Sequence, residues 1–232
     1  MNMMKMCVAF GCILALPLLL AGQGFGSIPK VPKAETKTLT LNDIQPGFPS
    51  NLVKFEGVPY KVIGSQEFDE FFKSSAKING LGMLDNAFSD STTVHLKKLV
   101  RTKLANAAVQ EASRNITKGK NPDSLGLDEQ CAVLKAANAQ KQLSSEEQTY
   151  LLNTSGYALL LGASTAKMTG TAQDLLKQGS SLSSKTGSLG PNAAAATEAL
   201  KSSTKNLNDF VSQAPNIAKN LNALGTGLKA SL

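Results

Sequence analysis

The sequence predicts a mainly α-helical fold: an exported helical bundle or long helical hairpin with a small N-terminal β-containing segment. Three observations predict it. Apolar residues recur at helical or near-heptad spacing over most of residues 65–230. Strand-type alternation is confined to residues 38–63. The chain opens with the pattern of an export signal.

In that leader a single charge, Lys5, precedes an apolar block, Cys7 to Ala21, and the run Ala21-Gly22-Gln23-Gly24-Phe25-Gly26 follows. A short positive start, an apolar centre and a small-residue tail read as a signal peptide over residues 1–26. The block is about 15 residues and holds Pro17, against roughly 20 for a spanning helix. An uncleaved anchor is one alternative. Lipidation at Cys12 is another, since Ala9-Phe10-Gly11-Cys12 loosely resembles a bacterial lipobox, although the apolar block continues past Cys12 where a lipobox would end. The predicted address is the periplasm, cell envelope or exterior, with a bacterial source favoured.

Ser27 to Lys37 mixes Pro and Lys with small residues and reads as an extended linker. Residues 38–178 then read as a mainly helical domain that opens with a β-hairpin. Thr38-Leu39-Thr40-Leu41 alternates like a strand, and Asn51–Phe55 and Tyr60–Ile63 flank Glu56-Gly57-Val58-Pro59 like a hairpin, with Pro59 restricting its strand to an edge.

From Ser65 the period changes. Ser65 is placed as an N-cap, with Glu67, Asp69 and Glu70 near the first turn and Phe68, Phe71 and Phe72 on one stripe. Asn79-Gly80-Leu81-Gly82 reads as the end of that helix, and Asp90 or Ser91 as the cap of the next. Its stripe is Leu96, Leu99, Val100, Leu104, Ala107 and Ala108, reaching to about Ile116. Lys118-Gly119-Lys120-Asn121-Pro122 is a stop. A shorter helix is expected over Leu127 to about Gln140, and Ser144 with Glu147 forms a capping box for a helix from Ser145 to near Lys177.

That last helix carries a near-heptad register: Thr154, Leu161, Met168, Leu175 and Leu182, beside Leu151, Ala158, Thr165, Ala172 and Gly179. Gly179 to Pro191 reads as a flexible Ser/Gly connection. Pro191 is suited to open the C-terminal helical segment, residues 192–232. A second register follows there (Ala193, Leu200, Leu207, Ala214, Leu221, Leu228), with Pro215 expected to kink or break it near Val211. Large residues facing small ones let two such helices approach closely. The aromatic residues Phe55, Phe68, Phe71, Phe72 and Phe88 are the expected core anchors.

Catalytic chemistry has little to stand on. The single histidine is His95, and no Gly-x-Ser-x-Gly turn, phosphate-cradling glycine loop or dinucleotide fingerprint occurs. Three cysteines, two of them in the leader, give no metal-ligand spacing and no disulfide framework. Cys131 is left as a small buried hydrophobe or, alternatively, an intermolecular disulfide partner. A non-enzyme without a cofactor follows, with no small-molecule substrate evident. Asn115-Ile116-Thr117 and Asn153-Thr154-Ser155 match the glycosylation sequon, which matters only in a eukaryotic secretory pathway.

Two functional readings remain. In the first, the chain is a structural or partner-binding protein, or self-associates, through a face built from Leu161, Met168, Leu175, Leu200, Leu207 and Leu221. In the second, it binds or permeabilises anionic lipid. Lys97, Lys98, Arg101 and Lys103 are the surface contacts there, and the uncharged stretch Tyr150–Ala166 is the inserting segment. The formal charge of +7 suits either reading. Nucleic acid is not expected, because no aromatic platform interleaves with the charges.

Overall fold

A computed structural model describes residues 33–232. The signal-peptide expectation over residues 1–26 and most of the 27–37 linker lie outside the described residues. The described chain begins with strand β1 (Glu35–Leu39), a one-turn helix α1 (Leu41–Ile44) and strand β2 (Val58–Val62). β1 pairs antiparallel with β2, Glu35 opposite Val62 and Leu39 opposite Val58. The hairpin expected between 51–55 and 60–63 is therefore corrected, as is the linker over 35–37. Residues 51–55 hold no strand: Val53 is buried, and the Leu52 carbonyl accepts the Ser91 hydroxyl at 3.1 Å, so the stretch is tied to a helix. β1 stops at Leu39 because Thr40 and Asp43 form a reciprocal capping box that starts α1. Gly57, at φ +93°, brings the chain back along β1; a Cβ there would sit 2.9 Å from the Leu39 carbonyl oxygen.

Helix α2 (Gln66–Leu104) runs unbroken for 39 residues, about 58 Å. The expected break at 79–82 does not occur, and Asp90 and Ser91 lie inside the helix rather than capping a new one. Both glycines mark close approach. A Cβ at Gly80 would meet Ile44 Cδ1 at 2.5 Å, and one at Gly82 would meet the Phe210 ring at 3.2 Å. Ser65 occupies the N-cap position but makes no cap bond. Asp69 instead ties the preceding loop to the helix, accepting the Ile63 and Gly64 amides at 2.7 and 3.2 Å.

The helix expected to continue to Ile116 is instead interrupted at Asn106, whose side chain accepts from the Ala108 and Val109 amides and starts α3 (Ala107–Thr117). That break resets the phase, so Val109 is buried while Ala107 and Ala108 are exposed. α3 ends at Lys118 (φ 48°) and Gly119 (φ +74°), within the anticipated stop. A 3-10 turn (Pro122–Ser124) leads to α4 (Leu127–Ala139), which matches the sequence expectation.

Ser144 and Glu147 form their capping box as anticipated and open α5 (Ser145–Ser183), which runs past Lys177. The stretch read as a flexible connection is helical through Ser183 and 3-10 over Thr186–Asn192, and α6 begins at Ala193 rather than at Pro191. Gly179 explains part of this: it is a packing residue, with the Phe71 ring 3.0 Å and Thr204 Oγ1 3.4 Å from where a Cβ would stand. Helix α6 (Ala193–Lys229) continues across Pro215 without a break. Pro215 is exposed, so the Val211 carbonyl it leaves unbonded lies on the solvent side of the helix.

α5 and α6 lie antiparallel. Gly179 meets Thr204, Gly162 meets Ala218 and Asn222, and the Ser155 hydroxyl donates to the Gly225 carbonyl at 2.7 Å. α2 is the third member. It runs antiparallel to α5 (Phe71 by Gly179, Asp85 by Thr165) and parallel to α6 (Gly82 by Phe210). The body is a bundle of three long helices, with the sheet along its first half and α3–α4 at the far end, where the Ser231 hydroxyl donates to the Cys131 carbonyl at 3.0 Å. The chain is thus mainly helical with a small two-stranded sheet near its N-terminus, as the sequence predicts. No helix among the described residues is long and apolar enough to cross a membrane.

The small residues of this bundle carry a direct prediction. A Cβ at Gly225 would lie 2.6 Å from Leu159 Cγ and 2.9 Å from the Ser155 carbonyl oxygen. The backbone oxygen cannot swing aside, so Gly225→Ala is expected to cost about 1–3 kcal/mol despite the better helix propensity of alanine. Gly156→Ala, with nothing within 4 Å, is expected to stabilise by up to about 1 kcal/mol. Urea denaturation of both variants checks the pair.

Candidate functional site

Five of the six residues of the expected interaction face are buried inside the molecule. Leu161, Leu175, Leu200, Leu207 and Leu221 belong to the core, and half-buried Met168 packs against it. The heptad registers of α5 and α6 face each other and α2, so they form an internal packing face and leave little for an external partner. The expected docking face thus coincides with side chains that pack within the chain. Tyr150–Ala166 likewise lies within α5, where Leu151, Thr154, Ser155, Ala158, Leu161, Gly162 and Thr165 are buried. Phe68, Phe71, Phe72 and Phe88 anchor the core as expected, whereas Phe55 is only half-buried. Phe88 and Phe48 meet edge to face at 5.9 Å.

The expected basic surface is divided. Arg101 pairs with Asp123. Lys103 is largely buried; its ammonium pairs with Glu147 at 2.6 Å and donates to the Gln142 carbonyl at 2.8 Å. Glu147 thereby serves the cap and the ion pair together, which holds its carboxyl below the usual range against the opposing effect of burial. Lys97 and Lys98 make no ion pair among the described residues. The apolar stripe beside them, Leu96, Leu99 and Val100, is buried. What remains is a solvated basic ridge without an apolar underside.

His95 lies against Tyr150, ring centroids 4.0 Å apart. Partial burial and the neighbouring Lys98 hold its imidazole below the ordinary histidine range. Two adjoining clefts of about 310 and 510 Å³ flank this pair and share Asn51, Leu52, Tyr150 and Thr154. Cys131 is buried, and burial pushes its thiol up. That placement bears out a buried hydrophobe and leaves the sulfur poorly placed for an intermolecular disulfide. Among the described residues no group of three or more His, Cys, Asp or Glu could hold a metal ion.

Two polar groups escape the sequence reading, because only tertiary packing reveals them. Asp85 is fully buried on α2, with Thr165 donating to Oδ2 and no partner at Oδ1. Burial pushes its carboxyl up to about 7, against the lowering effect of the Thr165 hydroxyl. Ser75, 2% exposed, also has no hydrogen-bond partner for its hydroxyl. It faces a cleft of about 360 Å³ between β2, α2 and α6. Phe72, Val58 and Ala199 supply apolar wall, and Asn79, Asn206 and Ser203 supply polar wall. In the cleft of about 310 Å³ the imidazole of His95, held below its ordinary range, meets the Tyr150 phenol, which burial pushes up. Comparison with models of known protein families, with curated proteins and with solved structures finds no match for this chain.

Proposed function

We propose that this chain is an exported, non-catalytic binding protein: a closed helical bundle that meets its partner through its outer clefts and not through the heptad faces. The observation that carries this reading is the placement of chemistry-bearing groups. His95 rests on an aromatic ring, Cys131 is buried, and Asp85 is sealed in the core, each apart from the others. A bundle of three long helices is a stiff frame, and the clefts along it present amides, hydroxyls and aromatic rings in fixed positions. The export part of the reading rests on the leader sequence, Lys5 through Gly26.

Fractionation of the source cell with a C-terminal tag tests the address. The protein is expected outside the cytoplasm with its N-terminus at residues 23–27; a cytoplasmic, full-length chain contradicts it. In the same cells His95→Ala, which alters one of the clefts, is expected at most to weaken partner binding, and complete loss of activity with partner binding retained overturns the non-catalytic assignment. Sedimentation with anionic and neutral vesicles separates the lipid reading. Little salt-sensitive binding is expected, because only Lys97 and Lys98 of the predicted contacts are unpaired; strong binding at low salt with dye release would favour the membrane role.

A further inference from the structure

We propose that the cleft between β2, α2 and α6 is a binding site for a small neutral polyhydroxylated ligand, a carbohydrate unit. The Ser75 hydroxyl anchors the argument. A helical serine ordinarily returns its hydroxyl to the carbonyl one turn back, as Ser113 does to Val109 at 2.7 Å. Ser75 makes no such bond, although it is 2% exposed and lines the cleft. An unmet buried hydroxyl is costly, and turning it about χ1 onto a ligand oxygen in the cleft would relieve the cost.

The rest of the lining selects the chemistry. Asn79, Asn206, Ser202 and Ser203 each both donate and accept, which is what a sugar hydroxyl also does. Tyr60, Pro59 and Ala199, which keep exposed surface, offer an apolar wall to the C–H face of a sugar ring. One cation, Lys61, and one anion, Glu198, balance, and the Lys61 ammonium is already held by Thr36 Oγ1 at 2.9 Å. That balance disfavours phosphate, a nucleotide or a polycation. The volume, about 360 Å³, is at the small end of the roughly 300–1,000 Å³ typical of ligand pockets. This site deepens the binding reading by naming a ligand class, and it stands whether or not the chain is exported.

Saturation-transfer NMR and titration calorimetry with glucose, N-acetylglucosamine and maltose test it on the purified protein. Saturable binding of at least one sugar is expected. Ser75→Ala should weaken it about tenfold while the melting temperature of the unliganded protein stays level or rises. A cavity ligand gains when the unmet hydroxyl is kept, whereas the empty fold does not. Ala199→Phe, which fills the cleft from a half-exposed position, should abolish binding with helicity unchanged. No saturable binding of any of the three sugars overturns the proposal, as does binding that both variants retain. A protein partner captured without sugar binding would remove this site and leave the broader binding role standing.

Discussion

Leu161→Asp and Leu207→Asp are each expected to abolish cooperative folding. Both side chains are fully buried on the facing registers of α5 and α6. Each substitution removes the packing of a core leucine, worth about 2–5 kcal/mol. It also leaves an unpaired buried charge, worth about 3–5 kcal/mol. The sum rivals the total stability of an ordinary domain, about 5–15 kcal/mol. Leu160→Asp is the internal control, since Leu160 is 42% exposed one position away and should cost only about 1–2 kcal/mol. Far-UV circular dichroism against urea reads all three. Native helicity and midpoint in both buried variants would contradict the packing described for these helices.

The second large effect concerns Asp85. Its carboxyl titrates near 7 in the folded protein and near 3.8 when unfolded. As pH rises from about 4 to about 7 the unfolded chain gives up this proton and the folded chain keeps it, so stability falls across that window. Above about 7 both states are ionised and the slope ends. The accumulated penalty is of the order of 4 kcal/mol. Asp85→Asn keeps an acceptor for Thr165 and cannot ionise. The variant is expected to match the wild type near pH 4 and to exceed it by a few kcal/mol at pH 8. The lowered carboxyls of Asp43, Glu129 and Glu147 lose stability on the acid side instead, and His95 also responds to acid. The difference between variant and wild type at each pH isolates Asp85. Parallel pH profiles for the two proteins would refute this role.

The helical periodicity made the bundle legible. Leu151, Leu161, Leu182, Leu207 and Leu228 fell on their registers and are buried, and the Ser144–Glu147 box was readable because its two partners are three residues apart. Errors arose where tertiary contact overrides a local signal. Gly80, Gly82 and Gly179 look like helix breakers in one dimension, yet each makes room for a neighbouring side chain. Asn106 looks like an ordinary helical residue, yet its side chain caps α3. Thr40 and Asp43 held a readable capping signal that the alternation of residues 38–41 masked.

The candidate site was less legible than the fold. A near-heptad face states that something packs there, and it is silent on whether the partner is another helix of the same chain. The residues that give the clefts their character, Ser75, Asn79 and Asn206, are ordinary polar residues on helices. Their convergence depends on the parallel alignment of α2 with α6, which no short-range pattern encodes. Asp85 is the clearest case: one acid amid many in the sequence, and distinctive only once Thr165 is placed beside it.

The central claim is that the α5 and α6 faces close on each other within one chain. Pulsed dipolar spectroscopy tests it most directly, with spin labels at the exposed positions Ala163 and Lys219 and the three native cysteines replaced by alanine. The antiparallel register places these two positions level with each other across the hairpin. A single narrow, short distance that persists when labelled protein is diluted with unlabelled protein is the predicted result. Loss of that distance on dilution would mean that the faces mate between copies, and the closed bundle would be contradicted.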